Sequence, residues 1–282
     1  MHQKNSSISL LEVLQGGTSF LKKHGIEQAR LNVELLLAHV LNIRRLELYL
    51  QFDRMLSEAE RAPLRELLRR RSKGVPLQHL LETTEFFGRT FHIDSRALIP
   101  RPETEQLVER VLVHDKTSRF LDVGTGSGVI AITIALEKPT ASIDAIDLSP
   151  DALALAQKNA ALHNVTHIQW HQGNLLQDQT KSWDSIIANL PYIETEEIST
   201  LSREVQHDPI MALDGGKSGL VLIQNLIEQA PQQLERGGKL FLEIGKDQEK
   251  EVIKLLEING YSEILALPDY QGIIRFVEGR KK

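Results

Sequence analysis

The chain has 282 residues and a formal net charge of −5, with 41% hydrophobic and 25% charged residues. These values predict a folded protein of about two domains and exclude a disordered, fibrous or coiled-coil chain. The sequence has no cysteine, which excludes disulfides, thiol catalysis and thiolate metal sites. No apolar run approaches the ~20 residues of a membrane span, and no signal-peptide pattern is seen, so we expect a cytoplasmic protein without a membrane partner.

Charge is distributed unevenly, with a net +3 over residues 1–88 and −8 over residues 89–282. Proteins that act on nucleic acids usually carry a basic excess, so the acidic total disfavours stable nucleic-acid binding. The densest basic run, residues 69–73, is typical of a solvated helix end, where the helix dipole favours cations. The histidines at 163, 167 and 171 lack metal-ligand spacing, and we expect no metal site.

The first part of the chain has the apolar spacing of helices. Between residues 29 and 41, apolar side chains recur three or four positions apart, which places them on one helix face. Ser57 and Glu60 have the spacing of a capping box, Gly74 favours a helix end, and Pro63 favours a kink between them. We therefore predict a helical domain over residues 1–80.

The second part alternates strand and helix patterns. Residues 86–99 predict a hairpin within a linker at 81–100, and the alternation over 101–282 predicts βαβ crossovers and a mostly parallel sheet. The last two strands are too close in sequence for a crossover and should pair antiparallel. The predicted strands are 119–123, 141–146, 167–171, 185–188, 239–244, 262–267 and 273–277, with helices at 128–137, 150–162, 219–234 and 248–258.

A glycine-rich loop, Asp-Val-Gly-Thr-Gly-Ser-Gly at 122–128, ends the first of these strands. Without Cβ atoms, its backbone can turn tightly and approach a ligand at the strand ends, where open α/β sheets bind cofactors. The third glycine comes one residue too early for a dinucleotide fingerprint, and an acid directly before the loop is not part of that motif. Asp147 ends the second strand, where its carboxylate can accept the hydroxyl hydrogens of a ribose, and Asn174 follows the third, where it could read an adenine edge.

The loop, Asp147 and the terminal hairpin together resemble the class I S-adenosylmethionine methyltransferases. This resemblance implies an α/β fold with a Rossmann-like seven-stranded sheet that ends in an antiparallel hairpin, preceded by a small helical domain. It implies S-adenosyl-L-methionine as the cofactor and S-adenosyl-L-homocysteine as the product. The residues implied to bind the cofactor are Asp122, Gly124, Thr125, Gly126, Ser127, Gly128, Asp147, Asn174 and Asn189.

Asn189-Leu190-Pro191-Tyr192 follows the fourth strand and resembles the Asn/Asp-Pro-Pro-Tyr motif of methyltransferases that act on planar nitrogens. By this resemblance, all four residues bind substrate, and Asn189, Pro191 and Tyr192 are candidate catalytic residues. The Asn189 side-chain oxygen and the Leu190 main-chain carbonyl can each accept one hydrogen of an NH₂ group, which turns the nitrogen lone pair towards the methyl donor. Tyr192 would pack on the planar group.

Further segments resemble the PrmC/HemK family, the release factor glutamine methyltransferases. They are Gly-Val-Pro-Leu-Gln at 74–78, Ile-Pro-Arg-Pro-Glu-Thr-Glu at 99–105, Leu-Asp-Gly-Gly at 213–216, Leu-Glu-Ile-Gly at 242–245 and Asp-x-x-Gly-x-x-Arg at 269–275. The resemblance implies methylation of the glutamine in the Gly-Gly-Gln motif of class I peptide chain release factors, in a bacterial-type cytoplasm, with the helical domain gripping the factor. It also places Arg101, Glu103 and Glu105 beside the substrate channel, the alternative being a salt-bridged helix start.

Leu190 departs from this family's motif, in which proline is usual. Asn-Leu-Pro-Tyr is typical of rRNA adenine dimethyltransferases, so an rRNA adenine methyltransferase is an alternative, although the acidic charge opposes it. A ribosomal-protein glutamine methyltransferase is a second alternative. A non-catalytic module would bind S-adenosylmethionine without transferring its methyl group, but the presence of both motifs speaks against it.

Overall fold

A computed structural model of the protein describes residues 8–114, 118–177 and 179–282. It contains two compact units. The first comprises the chain up to Glu82 together with Ser202–His207, and the second comprises Thr83–Leu201 and Asp208–Lys282. Residues 1–7 of the expected helical domain, and 115–117 and 178 of the expected methyltransferase domain, lie outside the described residues. Within the described ranges, every helix is too short or too polar to cross a membrane.

The first unit is helical, as its apolar periodicity predicts, and the apolar faces of its helices share one core that includes Leu14, Leu36 and Leu64. Helix α4 (Glu58–Ser72) begins at the capping box formed by Ser57 and Glu60 and passes through Pro63 as one element. A short antiparallel ribbon that the sequence pattern does not predict pairs β1 (Ile8–Ser9) with β2 (Met55–Leu56). The elements are β1 (Ile8–Ser9), α1 (Leu10–Lys23), α2 (Ala29–Leu41), α3 (Arg45–Leu48), β2 (Met55–Leu56), α4 (Glu58–Ser72) and α5 (Leu77–Leu81).

Arg71 links the two chain segments of the first unit. Its side chain donates to Asn32 Oδ1 at 2.7 Å, to the Val75 carbonyl at 3.2 Å and to Glu204 Oε1 at 2.6 Å. The neighbouring Arg70 is exposed, but Arg71 is only 4% exposed, so the expectation of a solvated helix end is wrong for Arg71. The expected domain bounds place residues 202–207 with the methyltransferase domain, because sequence order cannot show that a late loop packs on an early helix.

The second unit is built from strands and helices that alternate along the chain. Its strands are β3 (Thr83–Phe86), β4 (Arg89–His92), β5 (Arg119–Val123), β6 (Ser142–Asp147), β7 (Ile168–Gln172), β8 (Trp183–Ala188), β9 (Leu234–Glu243), β10 (Tyr261–Pro268) and β11 (Ile274–Lys281). Its helices are α6 (Pro102–His114), α7 (Val129–Glu137), α8 (Pro150–Leu162), α9 (Val221–Gln233) and α10 (Glu249–Ile258). Strands β3 and β4 form a hairpin over residues 83–92, which begins and ends earlier than the expected 86–99 and belongs to the second unit rather than to a separate linker.

Seven of these strands form one sheet in the order β10-β11-β9-β8-β5-β6-β7. Strands β9, β8, β5, β6 and β7 pair in parallel, whereas β11 pairs antiparallel with both β9 and β10. The predicted fold class is therefore confirmed. Strand β9 starts at Leu234, earlier than expected, because a register shift opposite Trp183 and Ser185 lets the strand continue through Gly237 and Gly238.

Side chains alternate across the sheet and so divide its core into two layers. Leu121 and Val123 of β5 face the layer that includes α9 and α10. Phe120, which directly precedes Leu121 in β5, faces the opposite layer, which includes α6 and α7. Because helices cover both faces, the free carboxyl ends of the parallel strands are the place where an open α/β sheet can bind a ligand.

Candidate active site

The loop between β5 and α7 requires glycine for two different reasons. Gly124, Gly126 and Gly128 all have positive φ angles, of 74°, 56° and 83°, which L side chains rarely adopt. A Cβ atom on Gly128 would also lie 2.9 Å from the Ala156 Cβ of α8, and one on Gly124 would lie 2.9 Å from Leu190 Cδ2. The loop thus packs tightly against α8 and against the segment that follows β8.

Asp122 lies beneath this loop and is 1% exposed. Its Oδ2 accepts hydrogen bonds from Thr125 Oγ1 at 2.6 Å and from the Ala131 N–H at 3.2 Å. Its Oδ1 is buried and has no hydrogen-bond partner among the residues that the structure describes. Burial raises the pKa of Asp122 to about 7. A buried acceptor without a donor is costly, so this oxygen fits a ligand that brings an amino group or a positive charge to the loop.

Asp147 connects the end of β6 to the same loop. Its Oδ2 accepts a hydrogen bond from the Gly126 N–H at 2.8 Å, and its Oδ1 accepts one from the Ser149 N–H at 2.9 Å. Burial raises the pKa of this carboxyl above its usual value. Each carboxylate oxygen has a second lone pair, so Asp147 can still accept hydrogen bonds from a pair of ligand hydroxyls.

The two motifs found in the sequence meet at one cavity at the carboxyl ends of the parallel strands. Asp122, Gly128 and Tyr192 lie outside its lining. The other predicted residues line it, namely Gly124, Thr125, Gly126, Ser127, Asp147, Asn174, Asn189, Leu190 and Pro191.

The segment after β8 places its side chains differently. Asn189 Nδ2 donates to Thr104 Oγ1 at 2.9 Å. Leu190 is 4% exposed and its side chain packs in the core beside Gly124, so this residue supplies packing as well as a main-chain carbonyl. Tyr192 is half-buried, and burial raises the pKa of its phenol to about 12.

The comparison with known proteins agrees with this geometry. Two family models match the chain, the PrmC N-terminal domain over residues 12–81 and the methyltransferase small domain over residues 102–208. The release factor glutamine methyltransferase of Geobacter sulfurreducens is 37% identical over 283 residues, which cover 99% of each chain. That of Chlorobaculum tepidum is 36% identical over 282 residues, which cover 95% of each chain.

The chain belongs to the release factor glutamine methyltransferase family. The resemblance read from the motifs is thereby confirmed, as is the prediction of a methyltransferase.

Solved structures share the fold of this release factor glutamine methyltransferase family member. The catalytic domain of hMettl16 in complex with the MAT2A 3'UTR hairpin 1 aligns with a TM-score of 0.58 and 16% identity, covering 79% of this chain and 80% of that one. The Thermus thermophilus 16S rRNA N2 G1207 methyltransferase, in complex with AdoMet and guanosine, aligns with a TM-score of 0.52 and 18% identity, covering 71% and 50%. At these identities the similarity shows the methyltransferase fold alone.

Two residues at the site of this family member were not singled out from the sequence. Thr104 lines the cavity, and Glu243 accepts a hydrogen bond from its hydroxyl at 2.9 Å. Both residues lie in segments that carry the family resemblance, 99–105 and 242–245. That resemblance was the available signal, but it did not show that the two side chains meet.

The start of α6 fits the salt-bridged alternative for Arg101. Arg101 Nη2 donates to Asp208 Oδ2 at 2.9 Å, and Asp208 is 4% exposed. Pro102 is the first residue of α6, a position where its missing N–H costs nothing. Glu105 Oε1 accepts a hydrogen bond from the Phe87 N–H at 3.0 Å. These contacts hold the helix that carries Thr104.

Taken together, the cavity of this release factor glutamine methyltransferase family member combines a backbone cradle with hydrogen-bond acceptors. The glycine loop offers close backbone approach and Asp147 offers carboxylate oxygens, whereas Asp122 lies beneath the loop and outside the cavity lining. Asn189 and the Leu190 carbonyl lie at the end of the neighbouring strand. Such a site can hold a nucleoside with a charged tail beside an NH₂ group.

Proposed function

We propose that this chain transfers a methyl group from S-adenosyl-L-methionine to the side-chain amide nitrogen of the glutamine in the Gly-Gly-Gln motif of class I peptide chain release factors. The observation that carries the proposal is that Asn189, Leu190 and Pro191 line the same cavity as the glycine loop. The names of the relatives supply the substrate class.

The cofactor would occupy the glycine loop and the ends of β6 and β7. S-adenosyl-L-methionine supplies a methyl group on a positively charged sulfur and leaves as S-adenosyl-L-homocysteine. Asp147 would accept the ribose hydroxyl hydrogens, and Asn174 would form hydrogen bonds with the adenine edge. Asp122, which lies beneath the loop, would complement the positive charge of the cofactor. The full proposed set is Asp122, Gly124, Thr125, Gly126, Ser127, Gly128, Asp147, Asn174 and Asn189.

The substrate amide would bind at the end of β8. An amide nitrogen is a poor nucleophile because its lone pair is delocalised, so its orientation matters. Asn189 Oδ1 and the Leu190 carbonyl would each accept one amide hydrogen, and they would also stabilise the positive charge that develops on nitrogen. As the bond from nitrogen to the methyl carbon forms and the bond from sulfur to that carbon breaks, the nitrogen would lose one of its hydrogens as a proton to solvent. Pro191 biases Leu190 towards an extended backbone, which presents that carbonyl. Tyr192 would pack on the planar amide.

The remaining parts of the proposal concern partners. The helical domain, residues 1–80, would grip the release factor, and residues 81–100 would link it to the methyltransferase domain at 101–282. We propose a bacterial-type cytoplasm as the compartment, with no membrane partner and no stable nucleic-acid binding. The family membership favours this substrate over rRNA adenine and over a ribosomal-protein glutamine.

Labelled methyl transfer tests the proposal directly. The purified chain is incubated with labelled S-adenosyl-L-methionine and, in parallel, with a class I release factor, the same factor with its Gly-Gly-Gln glutamine replaced by glutamate, ribosomal proteins and rRNA. We expect label on the unmodified factor only. Label on rRNA or ribosomal protein but not on the factor would establish one of the alternatives, and cofactor binding with no transfer would establish a non-catalytic module.

A further inference from the structure

A buried chain of hydrogen bonds leads from Asn189 away from the cavity. Asn189 Nδ2 donates to Thr104 Oγ1 at 2.9 Å, and Thr104 Oγ1 donates to Glu243 Oε2 at 2.9 Å. Thr104 and Glu243 are 3% and 2% exposed. Thr104 lies in the first turn of α6 and Glu243 ends β9. Helix α6 and strand β9 thus hold the side chain of Asn189, which follows directly after β8.

The donor and acceptor groups of Asn189, Thr104 and Glu243 give this series of hydrogen bonds a direction. An ionised carboxylate only accepts hydrogen bonds, and a threonine hydroxyl has a single hydrogen to donate. When Thr104 donates to Glu243, it can only accept from Asn189. The nitrogen of Asn189 must then face Thr104, which leaves Oδ1 on the other side. The two ends of an asparagine amide have nearly the same shape, so hydrogen bonding selects between them.

We propose that Thr104 and Glu243 are positioning residues, which hold Asn189 with Oδ1 turned towards the substrate amide. This inference rests on the proposed function, because an acceptor is needed here only for a substrate that presents an NH₂ group. In the flipped orientation, Asn189 would present its own NH₂ group to the substrate. Two donors facing each other cannot form a hydrogen bond, so the substrate nitrogen would lose its orientation.

The groups around Glu243 determine its protonation, and therefore the pH at which the hydrogen bonds keep this direction. Glu103 of α6 faces it as a second carboxylate, Arg275 of β11 as a cation, and Tyr192 after β8 as a phenol. Burial raises the pKa of Glu243 to about 7, although hydrogen bonds from the Thr104 hydroxyl and from the Asn189 side chain oppose this. A protonated carboxyl can donate to the hydroxyl, which is then free to donate to the asparagine. The acid form therefore no longer enforces one orientation.

Two substitutions at Thr104 separate its hydroxyl from its packing. Thr104→Val keeps the branched shape and removes the hydroxyl, whereas Thr104→Ser keeps the hydroxyl and removes a methyl group. In methyl transfer to a release factor by the full-length chain, we expect Thr104→Val to lower kcat by about 10- to 100-fold, because a misplaced contact costs on that order. The KM for the factor and the Kd for the cofactor should not change, and Thr104→Ser should recover most of kcat.

Several results would overturn the inference. The first is a wild-type kcat in Thr104→Val. The second is an equal loss of kcat in Thr104→Val and Thr104→Ser, which would indicate that Thr104 acts through packing. The third is a loss of affinity, seen in the KM for the factor or the Kd for the cofactor, with kcat unchanged. A wild-type chain that methylates no release factor would defeat the proposed function instead. In that case, solvent exchange of the Asn189 side-chain NH₂, measured by NMR, decides the positioning role. It should be slow in wild type and Thr104→Ser and fast in Thr104→Val, and equal exchange in all three would overturn the inference.

Glu243→Gln tests the carboxylate itself. Glutamine does not titrate, and its amide can donate as well as accept, so it enforces no direction on the hydroxyl. We expect the kcat of the wild-type chain to fall as the pH drops through the pKa of Glu243, and this acid limb to be absent in Glu243→Gln. An acid limb that is unchanged by the substitution would overturn the role assigned to the carboxylate.

Discussion

At the scale of single residues, Asn189 carries the largest share of the proposed chemistry. Asn189→Ala removes one acceptor for the substrate amide and leaves the glycine loop intact. Losing one preorganised transition-state hydrogen bond costs on the order of 10²–10³ in rate. We therefore expect kcat for release factor methylation to fall by that factor, while calorimetry shows a smaller loss of cofactor affinity, because the glycine loop and Asp147 remain in place.

Asn259→Ala is the matched control for this substitution. Asn259 caps the end of α10, where its Nδ2 donates to the Leu255 carbonyl at 2.9 Å, and it lies outside the cavity lining. Removing it should leave kcat unchanged. Near-wild-type turnover in Asn189→Ala would contradict the assigned role, and a comparable loss in both variants would point to a general loss of stability.

Asp122 connects the binding site to pH-dependent stability. Burial raises its pKa from 3.8 to about 7, so the folded protein holds this proton up to a higher pH than the unfolded chain does. Stability is therefore lost as the pH rises from about 4 to about 7. Asp122→Asn removes this titration, and at about 1.4 kcal/mol per pKa unit the variant should gain up to about 4 kcal/mol above pH 7.

Denaturant unfolding between pH 4 and pH 8 measures this difference. The curves of wild type and Asp122→Asn should diverge as the pH rises and then run parallel above about pH 7. Above about pH 7, where Asp122 is ionised, the same variant should bind S-adenosyl-L-methionine more weakly than wild type, because it lacks this negative charge. Curves that remain parallel over the whole range would show that Asp122 is not held protonated by burial.

The sequence could predict which residues gather at the site but not how they contact each other. The glycine loop and the segment Asn189–Tyr192 could be found because each is a local pattern at a strand end, and parallel strand ends share one edge of the sheet. The contact from Thr104 to Glu243 joins residues 139 apart, and no local spacing encodes it. The buried Asp122 Oδ1, which has no hydrogen-bond partner within the described part of the chain, likewise depends on packing.

At the scale of elements, Gly128 sets how α7 leaves the sheet. It is the N-cap of α7 with a φ of 83°, and an added Cβ would lie 2.9 Å from the Ala156 Cβ and 3.0 Å from Ile132 Cδ1. Gly128→Ala combines an unfavourable backbone with a clash between α7 and α8. We expect it to lower the free energy of unfolding by more than about 1 kcal/mol and to weaken cofactor binding.

Gly16→Ala is the control, because it makes the same chemical change at another position. Gly16 lies inside α1, where an added Cβ would meet no atom of the described residues within 4 Å. Alanine at an exposed helix position is favoured over glycine by about 0.5–1 kcal/mol, so this variant should be more stable than wild type. Equal effects of the two substitutions on the unfolding midpoint would contradict the explanation from packing and φ.

The order of elements was predictable because each strand and helix carries its own period. Strand β5 and helix α8 begin and end where the sequence places them. The sequence pattern does not predict the early start of β9, since the Gly237-Gly238 pair is typical of a turn, whereas the bulge opposite β8 accommodates the pair within the strand. It does not predict the β1–β2 ribbon either, because two-residue strands are too short to show a periodicity.

At the scale of the whole molecule, the first unit is not one continuous stretch of chain. The ion pair between Arg71 and Glu204 joins residues 133 positions apart, and Glu204 lies downstream of the Asn189–Tyr192 segment. The position of Ser202–His207 thus depends on the first unit. The methyltransferase small domain model matches residues 102–208, so it includes Ser202–His207 although these residues belong to the first structural unit.

Arg71→Met should release Ser202–His207 while keeping α4 in place. Methionine fills a similar buried volume, but it cannot donate to Asn32 Oδ1, to the Val75 carbonyl or to Glu204. A buried acceptor left without its donor costs about 1–3 kcal/mol, so the unfolding midpoint should fall. Amide hydrogen exchange should also become faster across residues 202–207. Arg70→Met, at the exposed neighbouring position, should change neither quantity, and faster exchange in both variants, or in neither, would refute this role for Arg71.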